Sequence, residues 1–347
     1  MNVLIDKEAR CAVVGHGSWA TGLVKILTDS AGLEGGRVGW FVRNPEVLES
    51  LRSEGRNPRY LSDVEFDTRL LELSGDIDSV VAGADVVILA APSAFIKSYL
   101  EGLRTPLSEK FVISAIKGIV PGNYLSVTEY LERTHGLSLG RAGVIGGPSH
   151  AEEIALERLS YLTVACDNLD NARIMTHKLS ARYIHTTISD DIRGVEYAAI
   201  LKNIYALSVG IATGLGYGDN FLSVLISNGA REMRRFLDGN FPCAGRDTDT
   251  SAFLGDLLVT AYSPFSRNRR FGMMIGKGLH VKVAQMELGG VAEGYYASET
   301  VRHVNASLSG SDGSPTIEMP IAEAVYDILY GGAAPSKTMR NLTNKLI

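Results

Sequence analysis

The chain has 347 residues, 45% hydrophobic and 21% charged, which is room for two domains with substantial cores and an ordinary globular composition. A formal charge of −5 and a pI near 5.9 give no general attraction to nucleic acid or an anionic membrane, so any anionic ligand must be met by local positive groups. Three widely spaced cysteines, no C-x-x-C and an opening MNVLIDKEAR without an apolar signal core predict a cytoplasmic protein. The seven histidines have no metal-ligand spacing, and no metal site is expected.

In chain order, Cys11 to Val14 reads as a short buried strand, followed by Gly15 and Gly17 and a helical pattern from Ala20. Glycines permit a tight turn and close backbone approach, and the amides of the following helix start suit a pyrophosphate. Ala20 stands where a third glycine often does, a permitted variant. The next strand, Arg37 to Val42, ends without the acidic residue that would bond an adenosine ribose, and Arg43 stands there instead. A guanidinium can hold a 2′-phosphate that a carboxylate would repel, so NADP(H) is preferred over NAD(H).

VVILAAPS (86–93) and FVISAIKG (111–118) are continuous apolar runs of the kind buried on both faces of a parallel sheet. Ligands bind beyond the carboxyl ends of such strands, which places Lys117 toward the cleft. AGVIGGPSHAEE adds a strand, a turn and a helix start, where Ser149 and Glu152 have capping-box spacing and the loop can offer backbone donors. YLTVAC and YIHTTI read as two more strands with DNARIMTHKL a helix between them. After Asp191 helical periods dominate, with turns at GYGDN, NFPCAGRD, FSRN and GSDGSP. The predicted fold is α/β, a Rossmann-like, mostly parallel sheet domain over 1–192 followed by an all-α domain over 193–347.

Between Tyr197 and Tyr217, Lys202 is the only ionisable group apart from tyrosine. Apolar surroundings disfavour an ammonium, so its pKa should fall toward the range where it exchanges a proton near neutral pH. A membrane span is disfavoured by Lys202, Asn203 and the glycines within the run. The i+4 row Ala198, Lys202, Ala206, Gly210, Gly214 is a stripe of small side chains, which suits either a closely packed helix or close approach of a ligand. Further on, Asp256 and Thr260 share one helical face, and a loop carries Ser266, Arg267, Asn268, Arg269 and Arg270, a cluster suited to an anionic group such as phosphate.

GHGSWAT, AIKGI, GGPSHAEE, LKNIYALSVGIATGLGYGDN, GDLLVTAYSPFSRNRRFGMMIGKG and VAEGYYASETV together resemble the soluble bacterial NAD(P)-dependent glycerol-3-phosphate dehydrogenase family over nearly the whole chain. The resemblance implies a Rossmann domain joined to a helical one, interconversion of dihydroxyacetone phosphate and sn-glycerol 3-phosphate, supply of phospholipid precursors, and a homodimer. Carried over by motif, Lys202 is the catalytic acid/base. Lys117, Gly147, Ser149, Lys202, Asn203, Asp256, Thr260, Ser266, Arg267 and Asn268 form the substrate site, with Arg267 and Asn268 on the phosphate. Gly15, Gly17, Ser18, Trp19, Arg43, Lys117, Ala151, Arg267, Val291 and Glu293 line the dinucleotide. In that light the small-residue stripe reads as room for substrate and nicotinamide. His150, often aromatic in relatives, and the glycine-poor AFLGDL are the departures. The rivals are another lysine-dependent hydroxyacid or ketopantoate-type dehydrogenase, which needs a carboxylate site, and a non-catalytic NADPH-binding sensor.

Overall fold

The computed structural model describes residues 4–30, 36–307 and 317–347; the turn expected at GSDGSP (310–315) lies outside them. The chain forms two units, Met1–Ile116 with Val127–Ile192, and Lys117–Ser126 with Arg193–Ile347. A single cut near Arg193 therefore does not describe the division, because the segment that begins at Lys117 belongs with the second unit.

In the first unit β1 (Cys11–Val14), α1 (Ser18–Asp29), β2 (Val38–Phe41), α2 (Pro45–Glu54), β3 (Leu71–Ser74), α3 (Ile77–Ala82), β4 (Val86–Leu89), α4 (Ile96–Leu100) and β5 (Phe111–Ser114) follow in order. The chain then lends β6 (Ile119–Val120) and β7 (Leu125–Ser126), an antiparallel pair, to the second unit. It returns as α5 (Val127–His135), β8 (Ala142–Gly146), α6 (Ala151–Ala155), β9 (Ser160–Cys166), α7 (Leu169–Lys178) and β10 (Ile184–Ser189). The eight-stranded sheet has the order β10-β9-β8-β5-β4-β1-β2-β3. From β3 to β8 every pairing is parallel; β9 runs antiparallel to β8, and β10 is parallel to β9.

β1, β4 and β5 are buried along their whole length, which is why they read as unbroken apolar runs. The strand order reverses between β1 and β4, and at such a switch point an open α/β sheet leaves a crevice. The glycine turn lies at the carboxyl end of β1. Buried Trp40 on β2 fixes it by donating its indole N–H to the Gly15 carbonyl at 2.6 Å.

The second unit is built of α8 (Ile192–Gly214, whose first residue ends the first unit), α9 (Asp219–Asn240), α10 (Asp256–Tyr262), α11 (Arg267–Gly276), α12 (Val281–Leu288), α13 (Glu293–Ser307), α14 (Pro320–Leu329) and α15 (Pro335–Thr343). By length and composition α8 could cross a membrane, but 100% of its apolar window is buried inside the protein. It is a core helix, apolar all round because other elements surround it. Its neighbour α9 supplies Glu232, fully buried, whose two carboxylate oxygens accept the backbone N–H groups of Ile321 and Ala322 at 2.9 Å each. Those amides open α14 and have no earlier turn to bond to. Glu232→Ala would strand both donors in the core, and we expect a loss of about 2 to 4 kcal/mol in urea unfolding. A change below roughly 0.5 kcal/mol would show that α14 does not depend on this tether.

Candidate active site

Asp256 is placed by an irregularity in its own helix. Residues Ser251–Gly255 form a π turn, with Gly255 N–H bonded to Thr250 O at 3.2 Å, before α10 begins. The wider turn re-aims the next side chain, a common device at functional positions. Asp256 is 1% exposed and each of its oxygens takes one lysine: Oδ1 accepts from Lys202 Nζ at 2.5 Å and Oδ2 from Lys117 Nζ at 3.1 Å. When both lysines are protonated, two ammonium groups share one carboxylate and the cluster carries a net positive charge. Burial pushes the Lys202 pKa down to about 7; Asp256 opposes the fall and the Lys117 charge reinforces it. Burial also opposes the Asp256 carboxylate, yet the two lysines outweigh it and hold this acid below its ordinary range. Lys202 is thereby a proton donor poised near neutrality beside a fixed anion.

Lys117 reaches this cluster from the β6–β7 hairpin, whose other end is held in the same unit. Ser126 Oγ donates to buried Glu196 at 2.7 Å, and the Tyr124 ring stacks on His303 with centroids 3.9 Å apart. The start of the hairpin is held by Asn203, whose Nδ2 donates to the Lys117 carbonyl at 2.7 Å and to Ala199 O at 3.0 Å. Asn203 Oδ1 in turn accepts from Asn268 Nδ2 at 2.8 Å, and Asn268 Oδ1 accepts Gly294 N–H at 2.9 Å. Both Asn268 amide atoms are thus engaged with protein groups. Thr260 lies on the buried face of α10 with Asp256 and donates its hydroxyl to the Asp256 carbonyl at 2.6 Å.

Two expectations are corrected here. The segment from Arg267 is the first turn of α11 rather than a loop, because buried Ser266 caps it by accepting Arg269 N–H on its side-chain oxygen. The cap leaves Arg267 and Arg270 exposed and Asn268 buried. The Arg267 guanidinium lies over Gly290, adjacent to Val291, and Glu293 opens α13. The small-residue stripe is likewise not open space. A Cβ on Gly210 would fall 2.1 Å from Arg269 O and one on Gly214 2.4 Å from Met273 O; on α11, Gly272 and Gly276 face Leu207 O and Ile211 O at 2.1 and 2.3 Å. Four glycines let two helix backbones touch, so the packing reading of the stripe is the correct one below Lys202.

The remaining candidates lie in the first unit. Gly15 has φ +133°, and a Cβ there would strike Ala90 O at 2.7 Å, whereas one on Gly17 would meet nothing within 4 Å. Gly17 is the N-cap of α1, no side chain caps that helix, and its first-turn amides begin at Ser18. That is the donor set a pyrophosphate needs. The Trp19 indole donates to Ala115 O at 2.8 Å, and Ala151 packs against α1 at Gly22. Arg43 stacks over the Tyr99 ring at 4.2 Å and donates to Ser98 Oγ at 3.0 Å. Gly147, at φ +99°, lies against Tyr161 O. The capping box expected at Ser149 is not formed, because His150 is the N-cap of α6 and the Ser149 hydroxyl turns back to the Gly147 carbonyl at 2.9 Å.

A mostly parallel sheet with a glycine first turn, followed by a helical unit holding a buried lysine–aspartate–lysine cluster, defines a two-unit, Rossmann-type dehydrogenase. The description "NAD-dependent glycerol-3-phosphate dehydrogenase N-terminus" matches residues 10–172, and its C-terminal counterpart matches residues 191–340. The chain belongs to this glycerol-3-phosphate dehydrogenase family. It is 32% identical to the glycerol-3-phosphate dehydrogenase [NAD(P)+] of Nocardia farcinica over 97% of this chain and 98% of that one. It is 34% identical to the enzyme of the same name from Geobacillus kaustophilus over 95% and 93%. The crystal structure of glycerol-3-phosphate dehydrogenase from Coxiella burnetii superposes with a TM-score of 0.83 at 27% identity, covering 97% and 99% of the two chains.

Proposed function

We propose that the protein interconverts dihydroxyacetone phosphate and sn-glycerol 3-phosphate with a nicotinamide dinucleotide, and that Lys202 is the acid and base. The buried Lys202–Asp256–Lys117 cluster carries this reading, supported by the family the chain belongs to. In the reducing direction a dinucleotide held at the glycine turn would supply the hydride that the ketone carbon takes up. Lys202 Nζ gives its proton to the ketone oxygen, while Lys117 stabilises the negative charge developing there. Asp256 keeps both lysines at the reacting oxygen and limits the fall in the Lys202 pKa. The phosphate is assigned to Arg267, with Asn268 and Asn203 holding the surrounding backbone; binding at that remote group aligns the reacting one.

In this reading Gly15, Gly17, Ser18, Trp19, Arg43 and Ala151 of 1–192 bind the dinucleotide, joined by Lys117, Arg267, Val291 and Glu293. Gly147, Ser149, Thr260 and Ser266 complete the proposed set of substrate residues. We further assign a preference for NADP(H), on Arg43; a homodimer; a cytoplasmic location; and supply of glycerol 3-phosphate to phospholipid synthesis. Two lysines on one carboxylate and an arginine at a helix start suit a phosphorylated ketone better than a carboxylate substrate or a cofactor sensor.

The test is oxidation of NADPH and NADH with dihydroxyacetone phosphate beside unphosphorylated dihydroxyacetone. Rapid oxidation with the phosphate ester alone is expected, and none with either ketone would refute the reading. Ketone reduction needs the ammonium form of Lys202, so its rate should fall as pH rises through about 7, while alcohol oxidation needs the neutral amine and should rise. Profiles across roughly pH 5.5 to 9 that move together in both directions would remove Lys202 from proton transfer.

A further inference from the structure

Beside the glycine turn lies a loop that no reading above has used. Asn57, fully buried, donates through Nδ2 to the His16 carbonyl at 3.0 Å and to Thr21 Oγ1 at 2.9 Å. Its Oδ1 accepts the backbone N–H groups of Arg59 and Tyr60 at 3.1 and 3.2 Å. One amide side chain therefore ties residues 57–60 to the turn and to the first turn of α1. Arg59 is held there with its guanidinium paired to Glu46, which lies in the first turn of α2, just beyond the end of β2. On the other flank, Arg43 leans on Tyr99, and the Tyr99 hydroxyl is 3.1 Å from His16 Nδ1. Burial, then the charges of Arg43 and of Arg59, lower the His16 pKa, so both guanidiniums bear on one imidazole in the turn. Arg43, two residues past the end of β2, and Arg59, paired to Glu46 in the first turn of α2, thus both lie on the side of β2 where the adenosine ribose of a bound dinucleotide belongs.

We infer that Arg59 is a second cation for the 2′-phosphate of NADPH, acting opposite Arg43, with Glu46 as the counter-ion it gives up on binding. The inference rests on the dinucleotide reading of the glycine turn. Arg59 and Glu46 are 53% and 77% exposed, and a pair so exposed contributes little and is easily exchanged. A phosphate dianion accepts more bonds from a guanidinium than one carboxylate does and carries more charge. Glu46, left nearby, also repels the same phosphate, so the pair sets a moderate rather than an absolute preference.

The test is calorimetric titration with adenosine 2′,5′-bisphosphate and with 5′-AMP, which reads the subsite without turnover. Arg59→Met should weaken the bisphosphate about tenfold more than it weakens 5′-AMP, as loss of a charged hydrogen bond does. Glu46→Gln should tighten the bisphosphate about threefold. Equal weakening of both ligands by Arg59→Met, with an unchanged thermal midpoint, would make Arg59 a loop residue and overturn the inference. So would unaltered bisphosphate binding. If the wild type binds both ligands equally, there is no 2′-phosphate site, and the inference fails together with the NADP(H) preference assigned to Arg43 while the dinucleotide reading stands; if it binds neither, the dinucleotide reading fails as well.

Discussion

Lys202→Met is expected to reduce turnover with dihydroxyacetone phosphate about 100- to 10,000-fold, the usual cost of removing a general acid. Methionine keeps much of the stem's volume, and Asp256 keeps Lys117 as a partner, so the buried carboxylate is not left without a cation. The variant should therefore fold, which thermal unfolding and titration with NADPH check. The pH dependence of ketone reduction assigned to this group should vanish from the residual rate. Turnover within about tenfold of the wild type would remove Lys202 from the chemistry. Asp256→Ala would be a poorer probe, since it leaves two ammonium groups facing each other in the core, and removing one partner of a buried pair costs about 3 to 5 kcal/mol on its own.

The second large effect is on stability. Gly210→Ala should lower it by more than about 3 kcal/mol, the upper end of the usual overpacking range. The added carbon would lie 2.1 Å from the Arg269 carbonyl oxygen, and neither backbone can retreat without moving a whole helix. Gly272→Ala meets Leu207 O at the same distance and should behave alike. Gly140→Ala is the control: its Cβ meets nothing within 4 Å and its φ is not positive, so the change should be neutral or slightly stabilising. Urea unfolding of the three variants decides it, and a Gly210→Ala protein as stable as the control would show that α8 and α11 are not packed backbone on backbone. Because α11 begins at Arg267, a partly folded Gly210 variant should also bind dihydroxyacetone phosphate poorly.

Much of the first unit was legible because its signals are local. β1, β4 and β5 are buried on both faces and so appear as unbroken apolar runs, and the glycines before α1 announce the turn. Edge strand β3 shows no such run, since only Leu71 of its four residues is buried. The strands of the β6–β7 hairpin are two residues each, too short for any period to register. Lys202 and Asp256 stood out one at a time, but the turn that aims Asp256 is a π turn, which depends on a backbone bond and not on a residue pattern. The glycine stripe was visible while its partner was not: Gly272 gains meaning only when placed against Leu207. Trp40, Asn57 and Glu232 were missed for the same reason, each bonding a group remote in sequence.

The chain passes between its two units at Ile116, at Ser126 and again at Ile192. Neither unit is consequently a portable cassette. A fragment ending at residue 192 would carry the hairpin without Glu196 and His303, leaving Ser126 and Tyr124 without those anchors, while one starting at 193 would lack Lys117 altogether. Grafting this helical unit onto another sheet requires three splice points rather than one, so recombination at a single crossover near residue 192 separates the two lysines that share Asp256.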